Sequence, residues 1–168
     1  DAYTRDAKTG AGRSMGTFGE DCAAKYGFTR AEQDAFATAS VERAKAATAS
    51  GAFAAEITPV TVKSRAGETV VSVDEGPGKV KLDKIASLKP AFKKDGTITA
   101  ASSSSINDGA AALVMMRAST ATKLGCKPLA RIVGHATHAQ EPEWFATAPL
   151  GATQKALAKA GWAVGDVD

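Results

Sequence analysis

The sequence predicts a mixed α/β protein, in which an α+β part precedes part of an α/β/α core. Residues 57–75, ITPVTVKSRAGETVVSVDE, contain two alternating β-branched segments around a turn and predict a β-hairpin. The continuous apolar run AALVMM at residues 111–116 is typical of a strand that is buried on both faces. The last third of the chain alternates strand-like and helix-like segments, which is the order expected of a sheet covered by helices.

Two consecutive helices are predicted near the start of the chain. MGTFGEDCAAKY is followed by Gly27, the residue type that most often ends a helix. Thr29 and Glu32 have the spacing of a capping box, which predicts a second helix that runs to about Ser50 and stops at Gly51. Its apolar positions recur at helical spacing and predict one buried stripe, made of Phe36, Ala37, Val41, Ala44 and Ala47.

The other segments carry shorter signals of the same kinds. Glycine, proline and polar residues mark the loops, while alternation and helical spacing mark the regular elements. We predict an irregular start at 1–14, a loop at 75–78, one or two helical turns at 82–88, a strand at 97–100, a helix at 118–125, a strand at 128–138 and a helix at 149–161.

Composition excludes several classes of protein. The 168 residues suffice for one domain or two small ones, and the net charge of +3 comes without the basic, aromatic-rich stripe of a nucleic-acid binder. No apolar run approaches the length of a membrane span. Cys22 and Cys126 lack the spacing of a zinc or redox motif, so we predict no metal site and a reducing compartment, without choosing between cytoplasm, mitochondrion and peroxisome.

Two polar segments have both an ordinary and a functional interpretation. Lys79, Lys81 and Lys84 gather in GKVKLDK, which is either a solvated loop or a small anion site for a nucleotide phosphate. TAASSSS at residues 99–105 is either a solvated loop or a place where a ligand approaches the backbone closely, since its side chains are small and carry hydroxyls.

Residues 99–113, TAASSSSINDGAAAL, resemble the loop-and-strand signature of the thiolases, the acetyl-CoA acetyltransferase family. The resemblance covers nearly the whole chain, because four more blocks match the family in the same order. These blocks are SMGTFGEDCAAKYGFTRAEQDAFATAS, LKPAFKKDGTITA, KPLARIVGHATH and APLGATQKALAKAGWAVGDVD.

The resemblance implies an incomplete thiolase fold in three parts. Residues 1–105 would form the coenzyme-A-binding loop domain, residues 106–127 a returning strand and helix of the N-terminal core half, and residues 128–168 the start of the C-terminal core half. It also implies acyl transfer between two acyl-CoA thioesters through an acyl-cysteine, in the direction of acetoacetyl-CoA synthesis or of thiolysis. Coenzyme A thioesters would be substrates rather than cofactors, and the remaining thiolase segments and a dimer or tetramer would be the partners.

The resemblance also assigns contacts with the pantetheine arm of coenzyme A, a thin chain that slides past backbone. Ala100 and Ser104 occupy pantetheine-contacting positions, Met15 matches a contacting methionine, and Phe92 an apolar wall beside it. Phe145 lies near the acyl end, where some members have methionine, and its bulk would limit acyl length. Without the family context, a lone Met or Phe is more often a core residue.

Two positions depart from the family pattern. Ser102 stands where the family usually has Asn, and serine has fewer groups with which to brace a loop. Ser14 stands where some members have His. Both residues are small enough to leave room for coenzyme A.

No catalytic residue is predicted in this chain. In the family, the nucleophilic cysteine lies upstream of the matching region, and the Asn-Glu-Ala-Phe, Gly-His-Pro and Cys-x-Gly blocks lie downstream. The sequence gives no motif for a substitute, so packing or surface roles are expected for Cys22, Cys126, His135, His138, Glu141 and Glu143. We therefore expect a thiolase piece that binds coenzyme A and is inactive alone.

Two alternatives stay open. The chain could be a non-catalytic module that binds coenzyme A or an acyl group. It could instead be an assembly piece that folds only with partner segments, with an exposed sheet edge around residues 110–116.

Overall fold

The computed structural model describes residues 12–167, so most of the irregular start predicted for residues 1–14 lies outside the described residues. Its helices and strands are α1 (Met15–Tyr26), α2 (Arg30–Ala49), β1 (Val60–Ser64), β2 (Gly67–Val71), α3 (Glu75–Lys79), α4 (Ala118–Lys123) and α5 (Ala148–Ala160). Short 3-10 helices cover Leu82–Ser87, Pro142–Thr147 and Val164–Asp166.

The chain divides into two compact units. One is Ser14–Ser105, and the other contains residues 106–167 together with residues 12 and 13. The first unit holds nearly all of the buried side chains of the described residues: Phe18, Ala23, Ala37 and Ile85, with the polar Glu20 and Thr99. In the second unit, Ala121 of α4 is the buried residue.

The predicted ends of the first two helices are confirmed. Gly27 caps α1 in the left-handed conformation at φ 70°, which costs glycine nothing because it has no Cβ. The Thr29 side chain accepts from the Glu32 N–H, and the Glu32 carboxylate accepts in return from the Thr29 N–H. The helix ends at Ala49, with Ser50 as its C-cap and Gly51 at φ 73°.

The predicted apolar stripe of α2 is wrong at Phe36. Ala37 is 4% exposed and carries the buried face, whereas the side chain of Phe36 is 78% exposed. The two residues are one position apart, so they point about 100° apart around the helix and cannot share one narrow face.

The predicted hairpin is confirmed as the antiparallel pair β1 and β2. Val60 pairs with Val71, Val62 with Thr69, and Lys63 with Glu68. Every residue of both strands is exposed, so the hairpin extends from the unit instead of forming part of its core.

Two predictions within the first unit are wrong. Residues 75–78 begin the short helix α3 instead of a loop, because the Asp74 side chain accepts from the Gly76 N–H at 2.9 Å and caps it. Residues 97–100 form no strand, because the backbone N–H groups of Thr97 and Ile98 donate to a side chain. The conformation of residues 75–78 is thus set by an Asp at the N-cap, and that of residues 97–100 by a carboxylate of a distant helix.

The two strands predicted in the second unit are also not formed. Within residues 12–167 no strand pairs with residues 110–116 or 128–138, and these segments have no regular secondary structure and are largely exposed. Leu113 and Val114 are 86% and 89% exposed. A strand that is buried on both faces needs a neighbour along each edge, and the described residues supply none here. The predicted helices are confirmed as α4 and α5, with Gly125 and Gly161 at positive φ after them.

The capping box of α2 makes stability depend on pH. Hydrogen bonds from the Thr29 backbone and hydroxyl hold the pKa of Glu32 below its ordinary value. The folded state therefore prefers the ionised form, and this stabilisation is full above the ordinary pKa and disappears as pH falls through the lowered one. We expect urea-unfolding midpoints that drop as pH falls from about 5 to about 3, with a smaller drop in Glu32→Gln. Equal drops in the two proteins would exclude this role of Glu32.

Candidate functional site

The serine segment is a turn that its own side chains brace. Thr99 is fully buried, and its N–H donates to the Ser102 hydroxyl at 3.0 Å. The Ser103 hydroxyl donates to the Thr99 carbonyl at 2.7 Å, and the Ala101 N–H donates to the Thr99 hydroxyl at 3.2 Å. The Ser102 hydroxyl therefore braces the loop. We call residues 99–105 the serine turn.

A carboxylate from α1 holds the segment that leads into the serine turn. Glu20 is 6% exposed. Its oxygens accept from the Thr97 N–H at 2.9 Å, the Ile98 N–H at 2.9 Å and the Thr97 hydroxyl at 3.1 Å. The same hydroxyl accepts from the Gln33 side chain of α2 at 2.8 Å. Both helices thus fix the backbone immediately before Thr99.

Two glycines of α1 make room for the side chains of this segment. A Cβ at Gly16 would lie 2.2 Å from the Phe92 ring, and one at Gly19 would lie 2.7 Å from Ile98 Cδ1. Real Cβ atoms do not approach other atoms so closely, so glycine is required at both positions unless the neighbours move. Phe92 and Ile98 therefore pack directly on the backbone of α1.

Arg30, at the start of α2, holds the chain that leads to Phe92. Its Nε donates to both carboxylate oxygens of Asp34, at 2.9 and 2.8 Å. Its Nη2 donates to the carbonyls of Ile85 at 3.1 Å and Leu88 at 2.9 Å. These carbonyls end the 3-10 helix Leu82–Ser87, so Arg30 fixes where the following segment begins.

The predicted pantetheine contacts fall into both units. Phe92 lies on Gly16, the residue after Met15, and Ala100 and Ser104 are exposed in the serine turn. These four residues belong to Ser14–Ser105. Phe145 belongs to the 3-10 helix Pro142–Thr147 of the second unit. Phe92, Ala100 and Ser104 thus lie in one segment, residues 92–104, and Met15 precedes the glycine on which Phe92 packs.

Two of the three predicted phosphate-binding lysines have acidic neighbours. Lys79 forms an i,i+4 ion pair with Glu75, and Lys84 lies 3.6 Å from Asp83. The hydrogen bond and charge of Lys79 lower the pKa of Glu75. Lys81 is exposed between them.

A cavity of about 340 Å³ lies elsewhere in the first unit. It is lined mostly by apolar groups between the C-terminal end of α2 and residues 53–59 and 72–77, and none of the predicted contact residues lines it. The serine turn is therefore a surface feature rather than part of this cavity.

The two cysteines and two histidines make packing or hydrogen-bond contacts with neighbouring residues of their own units. Cys22 is half-buried on α1, and exposed Cys126 has its Sγ 4.0 Å from the Leu124 carbonyl. The ring of His138 packs on Gly151, and its Nδ1 lies 3.2 Å from the Lys155 ammonium. The His135 carbonyl accepts from Lys159 at 2.8 Å.

The described residues carry neither a candidate metal cluster nor a helix that could span a membrane. Within residues 12–167, His, Cys, Asp and Glu do not gather in groups of three that could hold a metal ion. Every helix in the same part of the chain is too short or too polar to cross a lipid bilayer.

Sequence reasoning missed four residues that build the site: Gly16, Glu20, Arg30 and Gly96. A Cβ at Gly96 would lie 2.3 Å from Glu20 Oε1, so this glycine admits the carboxylate. The matching block SMGTFGEDCAAKYGFTRAEQDAFATAS contains Glu20, but the resemblance assigned it no role. No pattern in the sequence predicts contacts between residues 77 positions apart, as Glu20 and Thr97 are.

Comparison with known proteins identifies the family. Residues 3–119 match the family model of the thiolase N-terminal domain. The chain is 50% identical over 155 residues to an acetyl-CoA acetyltransferase of Paracoccus denitrificans, covering 92% of this chain and 40% of that protein. It is 46% identical over 171 residues to one of Rhizobium meliloti (strain 1021), covering 100% of this chain and 44% of that protein.

Solved structures agree with this assignment. The crystal structure of the Bacillus anthracis acetyl-CoA acetyltransferase matches with a TM-score of 0.90 and 40% identity, over 98% of this chain and 41% of that one. The predicted α/β class, as an incomplete thiolase fold, is confirmed. The chain spans less than half the length of the curated relatives named above. With the family model matching most of its length, this chain belongs to the thiolase family.

Proposed function

We propose that this chain supplies the coenzyme-A-binding surface of an acetyl-CoA C-acetyltransferase. The observation that carries the proposal is the serine turn, which is braced from within and leaves Ala100 and Ser104 exposed, while Phe92 packs on Gly16, the residue after Met15. A small methyl group, a hydroxyl and an apolar wall suit an arm that is thin, amide-bearing and partly apolar. The relatives' name, acetyl-CoA acetyltransferase, supports the choice of ligand.

The proposed parent reaction passes an acetyl group through a cysteine. A cysteine thiolate attacks the thioester carbonyl of one acetyl-CoA and releases coenzyme A. A base then removes a Cα proton from a second acetyl-CoA, and the carbanion attacks the acyl-cysteine, which frees the thiolate and forms acetoacetyl-CoA. We assign none of these chemical steps to residues of this chain. Its part is to hold coenzyme A, which is a substrate and not a cofactor.

Three further parts of the proposal extend the resemblance. Phe145 would limit the length of the acyl group, and Lys81, with Lys79 and Lys84, would attract the phosphates of coenzyme A. Residues 1–105 would act as the loop domain, with residues 106–127 and 128–168 belonging to the two core halves. The exposed apolar residues of 110–116 support pairing with further thiolase segments, and assembly as a dimer or tetramer.

The test is a complete reading frame that contains these 168 residues. We expect the complete protein to catalyse acetoacetyl-CoA thiolysis and to bind coenzyme A in a calorimetric titration. The 168-residue chain alone is expected to show no turnover. Turnover by the chain alone would contradict the proposal, and so would a complete protein that does not bind coenzyme A. Coenzyme A binding by an inactive complete protein would instead favour the non-catalytic module.

A substitution in the serine turn tests the ligand-binding surface. In the complete protein, Ala100→Leu is expected to weaken coenzyme A binding by roughly tenfold or more, since overpacking costs about 1–3 kcal/mol. Stability should not change, because Ala100 is exposed and its side chain is not part of the packed unit. The matched control is Ala66→Leu at the exposed hairpin turn, for which no change in affinity is expected. Equal affinities of the two variants would remove Ala100 from the proposed surface.

A further inference from the structure

We infer that Glu20 is a positioning residue that sets the affinity for coenzyme A by fixing the serine turn relative to Phe92. This inference rests on the proposed function, because it concerns the same binding surface. Glu20 does not line the proposed surface, since it is 6% exposed and its carboxylate faces the backbone of Thr97 and Ile98.

Glu20 accepts hydrogen bonds from three groups of Thr97 and Ile98. Two backbone N–H groups and one hydroxyl donate to its two oxygens at 2.9 to 3.1 Å. An ionised carboxylate only accepts, so it can satisfy donors on several sides at once. A charged acceptor also makes shorter and stronger bonds than a neutral one. The backbone of Thr97 and Ile98 is therefore held by charge-assisted bonds inside the unit.

Ile98 directly precedes the serine turn, so the position of its backbone determines where the turn begins. Thr99 follows Ile98, is fully buried and bonds with the hydroxyls of Ser102 and Ser103. The exposed Ala100 and Ser104 therefore stand on a frame that begins one residue after the Glu20 contact. A shift of Ile98 would move both of them relative to α1.

The same residue, Ile98, also sets the position of the apolar wall. Its carbonyl accepts from the Ala91 N–H at 2.9 Å, and Phe92 follows Ala91 and packs on Gly16. Glu20 thus anchors the segment 92–104, which carries both the apolar wall Phe92 and the exposed residues Ala100 and Ser104 of the proposed pantetheine surface. Gln33 strengthens the anchor, since its amide donates to the Thr97 hydroxyl and leaves that hydroxyl's proton for Glu20.

Glu20→Gln is the sharpest change, because the side chain keeps its size and shape. One amide oxygen remains as an acceptor, while the NH2 group turns donors toward Thr97 or Ile98 N–H groups that need acceptors. In the complete protein, we expect coenzyme A to bind roughly tenfold more weakly, as measured by titration calorimetry. In thiolysis, the KM for coenzyme A should rise while kcat is kept, the signature of lost uniform binding.

A control variant that is destabilised elsewhere in the unit separates a positioning role of Glu20 from a general effect of lost stability on binding. Gly51→Ala puts a Cβ on a residue held at φ 73° beyond the C-terminal end of α2, which lowers stability at the end of the helix away from Gln33, and it should leave the dissociation constant unchanged. If Glu20→Gln does not fold, Thr97→Val removes the hydroxyl from the same contact and should weaken binding in the same direction.

The outcomes distinguish this inference from the proposed function. Weaker coenzyme A binding in Glu20→Gln, with unchanged binding in Gly51→Ala, supports the inference. Binding equal to that of the parent protein in Glu20→Gln and Thr97→Val, or an equal loss in Gly51→Ala, overturns the inference and leaves the proposed function standing. A parent protein that does not bind coenzyme A overturns both.

Discussion

Replacing Gly16 with alanine is expected to destabilise the unit Ser14–Ser105 and to weaken coenzyme A binding in the complete protein. Alanine is ordinarily favoured over glycine inside a helix by about 1 kcal/mol. Here, however, the new Cβ would lie 2.2 to 2.3 Å from three atoms of the Phe92 ring. The ring would have to leave its place, and overpacking of this kind costs about 1–3 kcal/mol. The net effect should be a loss of up to about 2 kcal/mol.

The measurements are the urea midpoint and the dissociation constant of coenzyme A. Gly78→Ala in α3 is the matched control, since a Cβ there meets nothing within 4 Å and φ is not positive. It should be as stable as the parent protein or slightly more stable. A Gly16→Ala protein with the stability and affinity of the parent would contradict the packing of Phe92 on α1.

The helices could be predicted from the sequence because their signals are local. Gly27 after α1 and the Thr29–Glu32 capping box lie within one turn of the helix ends that they set. The hairpin had a similarly local signal in its alternation and its turn. Such features depend on backbone sterics and on bonds over three or four residues, which a single sequence contains.

The remaining elements depend on partners that are distant in the chain. Residues 97–100 have the composition of a strand, but the Glu20 carboxylate takes the N–H groups that a strand would offer to a neighbour. Residues 110–116 have the composition of a buried strand, yet the described residues provide no strand beside them. Composition thus predicted what these segments can do and left open which partner binds them.

The candidate site shows the same division. The family resemblance selected the residues proposed to contact the ligand, such as Ala100 and Ser104, because they lie in a recognisable motif. It did not select Gly16, Gly96 or Arg30, whose roles lie in close approach and in bonds to backbone carbonyls. Residues that hold a site in place leave a weaker pattern than residues within the motif itself.

Replacing Arg30 with methionine is expected to lower the free energy of unfolding by about 2–3 kcal/mol. The change removes the bifurcated hydrogen bond from Nε to both carboxylate oxygens of Asp34, and the hydrogen bonds to the carbonyls of Ile85 and Leu88. Both charged side chains are mostly buried, with 26% and 15% of their surface exposed, so water replaces the lost partner poorly. Lysine at position 30 should recover only part of the loss, because one ammonium cannot reach the carboxylate and both carbonyls at once.

An exposed ion pair of the same unit provides the contrast for Arg30. Lys63 and Glu68 lie 3.0 Å apart on the hairpin, but their side chains are 78% and 59% exposed. Lys63→Met should therefore change the unfolding free energy by about 1 kcal/mol or less. Urea unfolding of the two methionine variants tests the difference, and equal losses would show that Arg30 holds no more than a surface contact.

The double variant Arg30→Met/Asp34→Ala separates the two halves of the Arg30 contact. Removing Arg30 alone leaves the Asp34 carboxylate mostly buried without its cation, a penalty that disappears when Asp34 is removed as well. The double variant should therefore lose less than the sum of the single losses. The loss that remains measures the bonds to Ile85 and Leu88, which fix the chain ahead of Phe92. Strict additivity would mean that Asp34 and Arg30 act independently, and the positioning of Phe92 would then rest on Gly16 and Glu20.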